Sequence, residues 1–134
     1  MSIILDVANW LADMPNQTLP IETMLFPISP ANCIAIFPAH GKPPGHYTSG
    51  SGTSTGAIDY PDVQVQVRYT DPHNAFAICE AIRLWLDFNP PTGYLLVKTD
   101  RSQPDDLSND ADLSMTGGPC YRFSCNFSFI KVRT

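Results

Sequence analysis

The sequence has no run of about 18 apolar residues, so none of its helices is expected to span a bilayer. It contains no Cys-x-x-Cys pair, no glycine-rich phosphate loop, no nucleophile elbow and no zinc signature, and nothing in it meets the geometric requirements of a recognisable active site. Basic residues are scarce. The 8 Lys and Arg against 13 Asp and Glu leave a net charge of −5, with a pI near 4.8. A general nucleic-acid binder needs a basic stripe to neutralise phosphates, and no such stripe is present. The opening Met1-Ser2-Ile3-Ile4-Leu5-Asp6 has no basic segment and places an acid where an apolar signal core would continue, so it does not read as a secretion signal. Without an export signal, Cys33, Cys79, Cys120 and Cys125 read as reduced, buried core thiols. Cys120 and Cys125, five residues apart in a strand-like run, are expected on opposite faces rather than around a metal.

The 134 residues suit one domain with a self-supporting core. The 13 prolines point to long connections rather than a compact helical bundle. Ile4, Leu5, Ala8, Leu11 and Ala12 recur at helical spacing between Ser2, a candidate cap, and Met14 before Pro15. A polar, proline-punctuated stretch from Asn16 to Asn32 follows, with a candidate short strand over Leu25 to Ile28. Cys33 to Phe37 reads as a strand. From Ala39 to Tyr60 five glycines and Pro43-Pro44 predict a long mobile loop. Val63, Val65, Val67 and Tyr69 then alternate with Gln64, Gln66 and Arg68, which is a half-buried strand with its polar face outward.

Asp71-Pro72 is a helix start, and Ala75, Ile78, Cys79, Ile82, Trp85 and Leu86 form one apolar stripe. Asn89-Pro90-Pro91-Thr92-Gly93 is a turn, Tyr94 to Lys98 a strand, and Asp100 to Gly118 a second long, acidic loop. In the last strand Tyr121, Phe123, Cys125, Phe127 and Phe129 face one way, and Arg122, Ser124, Asn126 and Ser128 the other. The expected class is α+β: a four-stranded mixed or antiparallel sheet with two helices on one face and two long loops, all in a single domain over residues 1–134.

Few residues invite a chemical reading. His40 and His46 flank Lys42-Pro43-Pro44-Gly45 at the root of the first loop, where no rigid element would hold them as ligands, and His73 sits in the first turn of a helix. A cysteine–histidine nucleophile would need Cys33 or Cys79, both in apolar stripes where a thiol is inert. Asp105, Asp106, Asp110 and Asp112 cluster in one loop with Asn109 and Ser114. The spacing from Asp110 matches part of a calcium loop, but Met115 stands where glycine is required and no terminal glutamate follows. The expectation is no catalytic, cofactor or metal residue, and a small acidic binding or assembly module.

Four stretches carry a resemblance. These are Asn32-Cys33-Ile34-Ala35-Ile36-Phe37 before a Gly/Pro loop, the run from Asp59 to Arg68, the helix opening Pro72-His73-Asn74-Ala75, and Cys120 to Phe127. Together, over roughly residues 1 to 132, the chain resembles the tail-terminator or minor capsid proteins of long-tailed bacteriophages. The resemblance implies a structural virion protein, not an enzyme, that assembles as a homohexameric ring on the tail tube, stops tube growth and presents its other surface to head-completion or connector proteins. It also implies DNA passing through the lumen without specific binding, no membrane partner, and a place at the head–tail interface of the virion after assembly in the host cytoplasm. The acidic loop ending Gly117-Gly118-Pro119 departs from the shorter, charged turn of that family. A neck connector or head-completion protein, or a small metal- or ligand-binding module using the acidic loop, are the competing readings.

Overall fold

The computed structural model describes residues 3–26, 31–46, 57–100, 102–108 and 118–132. The elements run α1 (Ile3–Ala12), β1 (Ile21–Thr23), β2 (Cys33–His46), β3 (Ala57–Tyr69), α2 (Pro72–Phe88), β4 (Leu96–Thr99), β5 (Asp105–Asp106) and β6 (Tyr121–Val132). The strands lie in the order β1-β2-β3-β6-β4, with β5 pairing β6 in line with β4. Only β1 and β2 are parallel; the other pairings are antiparallel. The class is α+β, with both helices on one face, and the described sheet is larger than the four strands expected.

The added strands come from the segments expected to be loops. β2 continues through His46 and β3 begins at Ala57, so much of Ala39 to Tyr60 is paired backbone, with register shifts between Ala39 and Lys42 and between Lys42 and Gly45. Bulges at these positions let the ladder pass Gly41, Pro43 and Pro44, residues that in isolation signal a break. Residues 47–56 lie outside the described residues. The first short strand is Ile21–Thr23 rather than Leu25 to Ile28, of which residues 27 and 28 are outside the description, as is Ser2. The second loop contains β5, held by Leu107 N–H to the Arg122 carbonyl at 2.8 Å.

The core forms as the side-chain periodicities require. Ile34 and Ile36 of β2, Val63, Val65 and Val67 of β3, and Cys125, Phe127 and Phe129 of β6 meet Val7 and Leu11 of α1 and Cys79, Ile82 and Leu86 of α2. Each of the Val, Leu, Ile and Phe side chains among them contributes roughly 1.5–3 kcal/mol on leaving water. Asp71 caps α2, its carboxylate accepting the His73 N–H at 2.9 Å, with Pro72 at the first helical position. The turn into β4 ends at Gly93, whose φ of +94° suits a residue without Cβ. Trp10 stacks at 5.5 Å on Trp85 and donates its indole N–H to the Asn89 carbonyl at 2.7 Å, fixing α1 to the end of α2.

The second face of the sheet departs from expectation. Gln66, Arg68 and Ser124 are buried, not turned to solvent. Phe26 sits on it, with the guanidinium carbons of Arg68 and Arg122 at 4.9 and 4.5 Å from its ring centroid and Phe37 at 5.9 Å. Arg68 Nε also donates to the Ala31 carbonyl at 2.9 Å, and Asn32 Oδ1 accepts the Thr70 N–H at 3.0 Å. Cation–π contact at Phe26 and hydrogen bonding at Ala31 and Asn32 thus tie these residues to β3 and β6.

Candidate assembly surface

Among the described residues, His73, Asp105 and Asp106 do not gather into one site. His73 is exposed at the start of α2, while His40 and His46 belong to β2 rather than to a loop, His46 pairing with Ala57. Asn109, Asp110, Asp112, Ser114 and Met115 lie outside the described residues. Asp105 and Asp106 are in β5, where Asp106 Oδ1 accepts the Ser108 N–H at 2.9 Å and Ser108 Oγ accepts the Arg122 N–H at 2.9 Å. That acid therefore shapes a turn against β6. Among the described residues no three His, Cys, Asp or Glu side chains gather where they could hold a metal ion.

Two hollows are small. One of about 260 Å³ lies between the α1–β1 connection and α2, lined by residues including Met14, Gln17, Leu19, Tyr69 and Ile82. Another of about 160 Å³ is bordered by Asp6, Asn9, Asp13 and Thr92. Both fall below the roughly 300–1,000 Å³ of ordinary small-molecule sites. The Gln17 amide that borders the first is already committed to the Leu19 backbone at 2.8 Å in both directions. No helix among the described residues is long and apolar enough to cross a membrane.

The thiols are packed within the fold. Burial pushes the Cys33 thiol up, only partly opposed by Arg68, and the Cys79 thiol is raised by its contact with Cys125 and by burial. Both are held as neutral thiols, poor nucleophiles at neutral pH.

The distinctive surfaces are the two margins of the sheet. At one margin β4 has no further strand beside it among the described residues, and Leu95, which leads into it, is 66% exposed. Leu107, beside β5 on the same margin, is 37% exposed. At the other margin stands β1, followed by Met24 and Leu25 at 58% and 53% exposure. Beyond β1 the same margin is continued by β2, which carries Pro38, Pro43, Pro44 and two register shifts. Prolines and bulges discourage uncontrolled pairing along an edge. From the pairing directions, β4 runs opposite to β1. Lys98 on β4 and Glu22 on β1 both stand on the helix-free face, in register with Ser128 and Ala35.

β4 and the inner faces were legible in the sequence, but this relationship was not, because which strands end at the margins depends on pairing order. The polarity of Lys98 and the apolar Leu95 were visible; their position on an edge was not. Comparison of the chain with protein-family models and with curated proteins finds no match.

Proposed function

We propose that this protein is a structural assembly subunit that closes into a ring by joining its two unlike sheet margins, and that the ring caps a bacteriophage tail tube. The observation that carries the ring is the opposition of β4 and β1. A neighbouring copy placed head to tail would lay its β1 antiparallel to β4, extend the sheet across the interface and cover Leu95, Met24 and Leu25. Such a contact uses two different patches, which is the requirement for a closed cyclic assembly rather than a two-fold dimer. In that arrangement Lys98 of one copy approaches Glu22 of the next, an attractive pair on one face of the continued sheet.

The tail-cap reading adds the resemblance of the Asn32–Phe37, Asp59–Arg68, Pro72–Ala75 and Cys120–Phe127 stretches to tail-terminator proteins. The net charge of −5 suits a lumen through which DNA slides without sticking. On this reading the ring stops tube growth on one side, offers its other side to head-completion or connector proteins, and performs no catalysis. Charge reversal tests the interface: Lys98→Glu and Glu22→Lys should each weaken assembly in sedimentation velocity, and the double reversal should restore it. If neither variant changes assembly, the β4–β1 contact is wrong. Adding purified tail tubes separates a cap, which binds tube ends and blocks further growth, from a neck connector, which leaves growth unaffected.

A further inference from the structure

We propose that Cys79 and Cys125 are a latent disulfide site, able to close into a covalent staple between α2 and β6. Cys79 lies on the core-facing stripe of α2 and Cys125 on the inner face of β6, opposite Val65 of β3. Their Sγ atoms are 3.3 Å apart, and Cys125 Sγ is also 3.7 Å from the Cys79 carbonyl. Both side chains are buried, at 0% and 5% exposure. A disulfide requires about 2.05 Å between sulfurs, so closure needs the two sulfurs to approach by about 1.3 Å. Cys33 stands in register with Arg68 on the helix-free face, across the sheet from this pair. The inference does not rest on the assembly reading.

The same burial that brings the sulfurs together keeps them reduced. Both thiols sit among Val65, Ile82 and Phe127 in the core cluster, where water and charged reagents are excluded. A neutral thiol reacts slowly, so the pair stays open under reducing conditions and closes when a small, uncharged oxidant reaches it. With hydrogen peroxide the balance is complete. One thiol sulfur attacks a peroxide oxygen, the O–O bond breaks, and water leaves with formation of a sulfenic acid. The second sulfur then attacks the sulfenic sulfur, the S–O bond breaks, and a second water leaves carrying the second thiol's proton. Two sulfurs are each oxidised by one electron and two peroxide oxygens are each reduced by one.

Peptide mapping of the folded, peroxide-treated chain decides the matter. Trypsin places Cys79 on Tyr69–Arg83 and Cys125 on Phe123–Lys131, while Cys33 falls on Met1–Arg68, because Lys42 precedes proline, and Cys120 on Ser102–Arg122. The expected result is a Tyr69–Arg83 to Phe123–Lys131 cross-link as the dominant oxidation product, reversed by dithiothreitol. The oxidised protein should also unfold at a urea midpoint higher by roughly 1–3 M, because the link closes a loop spanning 46 positions. Cys79→Ala and Cys125→Ala should each abolish both the cross-link and the oxidant-dependent shift. Should either variant fail to fold, the map on the unaltered chain still decides. Recovery of four free thiols after treatment, or cross-links from the folded chain distributed among all four cysteines as in the urea-unfolded chain, would overturn the proposal.

Discussion

Tyr94 donates its phenolic O–H to Asp6 Oδ2 across 2.8 Å, joining residues 88 positions apart and tying α1 to the approach of β4. Tyr94 also packs on Phe129 at 5.4 Å, with Lys131 Nζ 5.1 Å from its ring centroid. Burial, with the Asp6 carboxylate behind the hydroxyl, raises the Tyr94 pKa above its ordinary value. A group raised on folding adds stability that is complete below its unfolded pKa of about 10 and is lost as pH climbs through the folded value. Unfolding in urea across a pH series should therefore show stability falling above about pH 10 more steeply in the native protein than in Tyr94→Phe. At neutral pH that variant should lose about 1 kcal/mol. Equal slopes would contradict the role assigned to the Tyr94–Asp6 bond.

Phe26 should behave as the clasp of the helix-free face. Replacing it with alanine removes the ring that Arg68 and Arg122 share and leaves two cations in direct register across β3 and β6. The expected cost is about 2 kcal/mol, with faster amide exchange at Thr70, whose N–H depends on Asn32. Unchanged exchange there would mean that the segment is held by its hydrogen bonds alone.

Two further substitutions separate local from global roles. Phe127→Ala empties the middle of the core, where the side chain is fully buried, and should cost about 3–5 kcal/mol. Asp71→Ala removes only the α2 cap and should cost about 1 kcal/mol. Chemical denaturation of both variants checks the ranking.

What could be read from the sequence was what short periodicities encode. The alternation from Val63 to Tyr69, the stripe from Ala75 to Leu86 and the Asp71-Pro72 start appear in the structure as β3, α2 and its cap. The continuation of β2 through His46 was hidden because Gly41, Pro43 and Pro44 are strand breakers by composition, and only pairing with β3 through bulges overrides them. β5 is Asp105-Asp106, residues with little strand propensity, recruited by the free side of β6. Gln66 and Arg68 looked solvent-facing because alternation assigns a residue to a face without saying what covers that face. The margins of the sheet, and so the candidate interface, depend on strand order, which no local pattern contains.

Leu95→Glu should leave the fold intact, since the side chain is 66% exposed, yet place a charge at the proposed junction and weaken self-association. Circular dichroism matching the native chain together with a lower average mass at equal concentration is the expected outcome.

The ring itself is tested most directly by the native mass of the purified protein, measured by light scattering over a wide concentration range. A species at six times the 14.8 kDa chain mass, growing with concentration and depleted by Leu95→Glu, is the predicted result. A stable dimer or tetramer that persists across the range would contradict it.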